Sequence, residues 1–240
     1  MKAILCAAGQ GSRLRPFTDN IPKPLVKIGE KTILEYVLNN ISRCGITEVV
    51  VLVGYNSDKV KKTIGFNYKD CNIKYYVNED YKNTENMDTL WLARKEVNEG
   101  FILLNADVLF HAELLKRLLN CPYPNVIVVD DRIKIDEHSM KVRIENEKLV
   151  AIGRNLKNSN GRAIGMYKFS IEGGKKYFKE IEKLVNSGKK GFQIEAPLEN
   201  FIKHIDIHSI KAGNLPWIEI DTSNDLLEAQ NKIKFIANDN

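Results

Sequence analysis

Apolar runs bounded by turn residues recur through the first half of the chain, at residues 3–8, 48–53, 74–77, 101–104 and 126–130. They are short, continuous and rich in valine, isoleucine and leucine, the pattern of strands covered on both faces. Between the first two, Ile33, Tyr36, Val37, Asn40 and Ile41 fall at helical spacing. Thr32 and Glu35 form a capping box at the start of that helix, and Gly45 closes it. Further helices are predicted over 86–96 and 112–119, the second ending before Pro122, because a residue preceding proline is pushed out of helical geometry. Strand and helix in alternation predict an α/β fold, a Rossmann-like mixed, mostly parallel sheet with helices on both faces.

After residue 130 the rhythm changes. Residues 141–145, 149–153 and 165–169 read as a meander of short alternating strands joined by Asn, Glu and Lys turns. Helices at 172–186 and 194–203, strands at 205–211 and 217–221, and a last helix from Ser223 follow. No Pro/Gly/Ser linker separates the halves, so residues 1–240 are expected to form a single domain with a smaller β-rich elaboration. The polar end, Asn238-Asp239-Asn240, is expected to fray.

The first strand runs into Ala7-Ala8-Gly9-Gln10-Gly11-Ser12-Arg13-Leu14-Arg15-Pro16. Such a loop offers backbone N–H groups and guanidinium charge to a polyanion, and it follows a strand at the carboxyl edge of the sheet, where open α/β folds bind ligands. Two familiar phosphate motifs fail here. Leu14 stands where a dinucleotide fingerprint needs its third glycine, and there is no G-x-x-x-x-G-K-[ST]. Taken alone, the two glycines also suit an ordinary strand-to-helix turn. Downstream, Pro22-Lys23-Pro24 sets a lysine between two prolines, where it cannot lie inside a helix and its backbone is expected to be extended and stiff. Asp107 ends the strand at 101–104, and Asp221 ends the one beginning at Trp217. Each has a bland alternative, a turn former for Asp107 and a helix N-cap for Asp221.

Composition narrows the classes. With 43% hydrophobic and 28% charged residues the chain is an ordinary globular protein. The net charge of +5 arises from 36 basic and 31 acidic residues that are intermixed, so no nucleic-acid stripe is evident. Four scattered cysteines without a CxxC pair argue against zinc and disulfides and for a reducing cytoplasm. No run reaches the roughly 18 apolar residues of a membrane span, and Met1-Lys2 enters a strand without a signal-peptide pattern. The four histidines lack ligand spacing, and Asp130-Asp131 reads as a solvated turn.

The opening G-x-G-[ST]-R-L-x-P, with its downstream P-K-P-[LM], resembles the signature of the nucleotidyltransferases that activate sugar phosphates and phosphorylated alcohols. The resemblance implies a glycine loop, Ala7, Ala8, Gly9, Gln10, Gly11, Ser12 and Arg13, that wraps a nucleoside triphosphate, with Arg13 and Lys23 as the catalytic charges. It implies Mg2+ held by Asp107, where Ala106 replaces the family's usual glycine, and by Asp221 of the segment Trp217-Ile218-Glu219-Ile220-Asp221. Asn78-x-x-Tyr81 followed by Asn86-Met87-x-Thr89-Leu90 looks like the cytidylyltransferases for phosphocholine and related acceptors. That likeness places Asn78 and Asn86 near base and ribose. Asp88, Trp217 and Glu219 become acceptor-binding candidates, Trp217 as an aromatic wall for a cationic head group. Residues 1–130 are then the nucleotide-binding half, and 131–240 the acceptor-binding and metal-completing half.

The expected reaction is transfer of CMP from CTP to a small phosphorylated or phosphonate acceptor such as phosphocholine, releasing pyrophosphate. Two alternatives stay open: a sugar-1-phosphate uridylyl-, thymidylyl- or guanylyltransferase, and a non-catalytic nucleotide-sensing subunit. Nucleic acid and membrane are not expected partners, and assembly with further copies of the chain is left open.

Overall fold

The computed structural model describes residues 1–132, 135–188 and 190–237; the Asn238-Asp239-Asn240 end lies outside them. In chain order the strands are β1 (Lys2–Ala7), β2 (Lys27–Ile28), β3 (Lys31–Thr32), β4 (Glu48–Val53), β5 (Asn67–Tyr68), β6 (Cys71–Val77) and β7 (Phe101–Asn105). They continue with β8 (Val108–Phe110), β9 (Val126–Asp130), β10 (Lys141–Glu145), β11 (Lys148–Gly153), β12 (Gly161–Phe169), β13 (His208–Lys211) and β14 (Trp217–Glu219). The helices are α1 (Ile33–Arg43), α2 (Ser57–Ile64), α3 (Asn86–Trp91), α4 (Ala112–Asn120), α5 (Ile171–Asn186), α6 (Leu198–Phe201) and α7 (Ser223–Ala237).

One sheet spans both halves of the chain, in the order β10-β11-β13-β9-β12-β7-β1-β4-β6-β5. β7, β1, β4 and β6 are parallel neighbours, while β12 runs antiparallel between β7 and β9. The chain therefore steps outward from β1 to β4 and β6, then returns to place β7 on the other side of β1. That reversal is a topological switch point, and it opens a crevice beyond the carboxyl ends of β1 and β7.

Strand alternation sorts the core. Val49, Val51 and Val53 of β4 pack with Leu34, Val37 and Leu38 of α1, Val60 of α2 and Leu114 of α4. Val50 and Leu52, on the opposite face, pack with Leu90 of α3, Tyr177 and Phe178 of α5 and Phe201 of α6. A third cluster seats Leu226, Ala229 and Ile236 of α7 against Ile28, Ile33, Leu109 and Ile218. The capping box of α1 forms as expected, with Glu35 N–H donating to Thr32 Oγ1 and Thr32 N–H donating to the Glu35 carboxylate.

Several boundaries differ from the sequence reading. α2 has no counterpart there, because only Val60 and Ile64 of its eight residues are buried and two apolar positions make no visible period. The helix expected over 86–96 is α3 followed by a separate 3-10 turn, Arg94–Glu96. The helix expected over 194–203 contracts to α6, entered through Pro197. Asp130 is buried rather than solvated: its carboxylate accepts from Trp217 Nε1 at 2.8 Å and from Arg132 N–H at 2.8 Å. The four cysteines are free, and among the described residues no helix is long and apolar enough to cross a membrane.

At the entry to β1 a partly buried polar cluster lies against the sheet. Glu96 accepts from Lys2 Nζ at 3.0 Å, Lys74 Nζ at 2.6 Å and Tyr76 Oη at 2.5 Å. Burial works to raise its pKa, but these donors outweigh it and bring the carboxyl down to about 2. A folded-state pKa below the unfolded one gives stability that is complete above the unfolded value and is lost as pH falls toward the folded one. Glu96→Gln is therefore expected to cost on the order of 1–3 kcal/mol at neutral pH, the range for hydrogen bonds to a charged group. In paired urea titrations of variant and parent this gap should close between about pH 4.5 and pH 2; a gap independent of pH would contradict the assignment.

Candidate active site

The crevice at the switch point is a cleft of about 370 Å³. Its floor is the tip of β1 and the turn after β7, with Ala106 N–H donating to Cys6 O at 3.1 Å. The opening loop passes over it. Gly11 has φ 71° and precedes the 3-10 turn Ser12–Leu14, which presents Arg13 while Leu14 is fully buried as an anchor. Thr18 Oγ1 donates to Gly11 O at 2.7 Å and ties the loop back on itself.

Gly11 also meets a steric demand. A Cβ there would lie 2.8 Å from Lys23 Cβ. Gly11→Ala combines left-handed strain of about 1–2 kcal/mol with displacement of Lys23. We expect a lowered melting temperature and a fall of about tenfold or more in kcat/KM, read by melts and pyrophosphate release; unchanged values would show that loop geometry does not matter.

Lys23 is buried, and its ammonium lies 2.7 Å from Asp107 Oδ2 and 2.8 Å from Asp221 Oδ1. Arg13 Nη2 reaches Asp221 Oδ2 at 3.1 Å. The two carboxylates, remote in sequence, meet because β14 pairs antiparallel with β8, setting Glu219 opposite Val108, with Ile220 N–H donating to Asp107 O at 3.0 Å. Asp221 is not the N-cap of α7. Thr222 and Asp225 make that cap, with Asp225 N–H on Thr222 Oγ1 and Thr222 N–H on the Asp225 carboxylate, which leaves the Asp221 carboxylate to the cleft.

The charges reinforce one another. Burial opposes the Lys23 ammonium, yet Asp107 and Asp221 raise its pKa, so it stays protonated. Burial likewise works against Asp221, but Lys23 and Arg13 hold its carboxyl below the ordinary range. Glu219 is pushed up to about 7, first by burial and then by the charges of Asp107 and Asp221, despite its 2.7 Å salt bridge to Arg162. Cys6 also borders the cleft, but burial raises its thiol pKa far above neutrality, and a thiol that stays protonated is a poor nucleophile.

Of the residues singled out by sequence, Ala7, Ala8, Gly9, Gly11, Ser12, Arg13, Lys23, Asn86, Asp107, Glu219 and Asp221 line the cleft. Four do not. Gln10 is outside its lining. Asn78 is buried behind the lining and spends its amide on the hydroxyls of Thr84 (2.8 Å) and Thr89 (2.7 Å), both of which line the cleft. Asp88 accepts from Glu85 N–H at 3.2 Å as part of the α3 cap. Trp217 is no acceptor wall in this cleft: it is buried, its indole N–H bonds Asp130, and Arg162 stacks 5.0 Å from its ring. Asn86 lines the cleft, although its Oδ1 accepts from Ile194 N–H at 3.1 Å.

The structure adds Thr84, Glu85, Asn105, Arg154 and Gln193 to the walls, together with Tyr81 and Thr89 of the motif, to which the sequence assigned no role. Thr84 and Glu85 lie inside the gap of the Asn78 to Asn86 segment. Arg154 follows β11 and Gln193 precedes α6, in stretches that carry no motif. Gln193 Nε2 donates to Glu85 at 2.9 Å, joining the two halves across the cleft. Asn105 fits at the end of β7 because β12 carries Gly165 there, with φ 72°, where a Cβ would lie 2.6 Å from the Asn105 amide nitrogen.

A glycine loop over paired carboxylates, a buried lysine and an exposed arginine, at the switch point of an α/β sheet, defines a site for a phosphorylated nucleotide. Residues 2–121 match the family described as nucleotidyl transferase, and the chain belongs to that family. It is 34% identical over 127 residues to CMP-5'-(3-aminopropyl)phosphonate synthase of Streptomyces rubellomurinus, covering 53% of this chain and 20% of that protein. It is 25% identical over 256 residues to CTP:phosphoglutamine cytidylyltransferase of Campylobacter jejuni, covering 94% of this chain and 98% of the relative. Other curated relatives that it matches are about twice its length, the chain spanning 54% and 53% of two of them. In fold it superposes on the CTP:phosphocholine cytidylyltransferase of Streptococcus pneumoniae with a TM-score of 0.74 at 24% identity, covering 97% of this chain and 99% of that one.

Proposed function

We propose that this chain transfers a nucleoside monophosphate, CMP from CTP, to a small phosphorylated or phosphonate acceptor and releases pyrophosphate. The observation that carries the reading is the Lys23 ammonium set between Asp107 and Asp221 in the cleft that the glycine loop also lines. The choice of CTP rests on relatives named for CTP or CMP chemistry.

An ionised acceptor oxygen attacks the α-phosphorus, a new P–O bond forms, and the bond to the β-phosphate oxygen breaks with its electrons leaving on pyrophosphate. Such an acceptor is already a nucleophile, so alignment and charge neutralisation carry the catalysis. Backbone N–H groups of the glycine loop and Arg13 hold the β- and γ-phosphates. Lys23 follows the charge that develops on the α-phosphate.

Asp107 and Asp221 suit magnesium, which takes hard oxygen ligands and completes its shell with phosphate and water. One buried oxygen, Asp107 Oδ1, has no hydrogen-bond partner. Among the described residues no group of three or more His, Cys, Asp or Glu is placed to hold a metal, so the two aspartates would share the ion with the nucleotide. Magnesium supplies Lewis-acid neutralisation of phosphate charge when bound. The free thiols fit a cytoplasmic location.

Arg154, exposed on the cleft wall, is the group we assign to the acceptor's anionic end. Arg154→Ala is expected to raise the acceptor KM about tenfold or more, the loss of a charge-assisted contact, with the KM for nucleotide little changed; equal effects on both would move Arg154 to the donor side. The reading as a whole is tested by pyrophosphate release from CTP, UTP, dTTP and GTP crossed with amino-alcohol phosphates, phosphonates and sugar 1-phosphates. Release with CTP and one acceptor class supports it. Release only with a sugar 1-phosphate, or nucleotide binding without release, overturns it.

A further inference from the structure

We infer that Lys23 is an exchangeable counter-ion that excludes a free divalent cation from Asp107 and Asp221 until a nucleotide draws the ammonium away. The inference rests on the magnesium assignment proposed above and goes beyond it, to the order in which the charges assemble.

The oxygens of the two carboxylates are nearly all engaged by the chain itself. Asp107 Oδ2 and Asp221 Oδ1 bind the Lys23 ammonium, and Asp221 Oδ2 faces Arg13. Only Asp107 Oδ1 is without a partner. In charge, two carboxylates are balanced by one ammonium and one guanidinium, and neighbouring Glu219 has its own partner in Arg162. A divalent cation entering alone meets a neutral cluster and must lie beside an ammonium, so Coulomb attraction offers it little. A triphosphate changes that balance. Its oxygens compete for Lys23 and Arg13, and each cation that moves to phosphate returns a carboxylate oxygen to the metal. The lysine side chain suits such an exchange, being a compact charge on a flexible stem. Pro22 and Pro24 flank it and stiffen the backbone, so the movement falls to the side chain. Metal binding and nucleotide binding are thereby coupled positively, each favouring the other.

The test is a Mn2+ titration of the intact protein, read by electron paramagnetic resonance of the free ion, with and without a non-hydrolysable CTP analogue. Wild type is expected to bind Mn2+ weakly alone and much more tightly with the analogue. Lys23→Met should bind Mn2+ alone about tenfold or more tightly than wild type, the order expected when a like charge leaves a buried site. Lys23→Gln, which keeps a hydrogen-bond donor for the carboxylates, serves if the first variant does not fold. Adding Asp107→Asn to either should abolish the gain. Equal Mn2+ affinity in wild type and the Lys23 variants, with the analogue arm intact, overturns the exchange and leaves the metal assignment standing. No Mn2+ binding in any arm overturns the metal assignment and the exchange with it.

Discussion

Lys23→Met is expected to lower turnover about a hundredfold or more, the scale lost when one preorganised charge partner of a transition state is removed. Pro22 and Pro24 hold the backbone at Lys23, and the side chain passes under Gly11 so closely that any Cβ there would collide with it. With its stem confined there, the ammonium that a nucleotide releases from the carboxylates stays in the cleft, where it meets the negative charge that builds on the α-phosphate. The loss should therefore fall on kcat, with a smaller change in the KM for nucleotide, because in the proposed function the glycine loop and Arg13 hold the phosphates. Lys23→Arg is expected to be nearly as impaired. A planar guanidinium cannot take the place of a compact ammonium 2.7 and 2.8 Å from two carboxylates. Single-turnover pyrophosphate release separates binding from chemistry, and a Lys23→Met rate within about threefold of wild type would remove Lys23 from the reaction.

The parts of the site legible in sequence are those whose chemistry is local. Gly11 needs its left-handed backbone within the loop it belongs to, and Lys23 is marked by its flanking prolines, so both stand out on the linear chain. Asp107 and Asp221 are legible as strand-end acids, but what joins them, the β8/β14 ribbon, is a long-range pairing that no local pattern reports. Trp217 illustrates the opposite error. An aromatic beside two acids looks like a binding wall, yet Trp217, on the same face of β14 as Glu219, is buried with its indole N–H spent on Asp130, while Glu219 borders the cleft. Asn78 and Asp88 were drawn into the site by a motif, whereas their side chains are occupied by the turn and cap that hold Thr84, Glu85 and Asn86 in place. Arg154 and Gln193 could not be seen at all, because only the packing of the second half against the first brings them to the cleft. The sheet was easier. Buried parallel strands announce themselves as continuous apolar runs, while the insertion of antiparallel β12 between β7 and β9 is a matter of connectivity that runs of residues do not encode.

Asp107→Asn is expected to match the Lys23 variant in severity, about a hundredfold or more in turnover, and to differ from it in kind. The substitution keeps the shape of the side chain, and Lys23 retains Asp221 at 2.8 Å while Asp221 retains Arg13 at 3.1 Å, so the fold should persist with a melting temperature near that of wild type. What is removed is a negative charge and a buried oxygen that the chain itself leaves unpartnered. If Asp107 serves to hold magnesium against the nucleotide, the variant will need a higher magnesium concentration for half-maximal rate, and part of its lost activity will return as magnesium is raised. If Asp107 serves only to orient Lys23, added magnesium will restore nothing, and the metal will have to be assigned elsewhere. Asp88→Asn in the same assay isolates the effect, because Asp88 caps α3 outside the cleft and its loss should leave the magnesium dependence unchanged. A magnesium profile for Asp107→Asn that overlays that of Asp88→Asn would therefore count against the pairing of Asp107 and Asp221 as the metal-bearing end of the site.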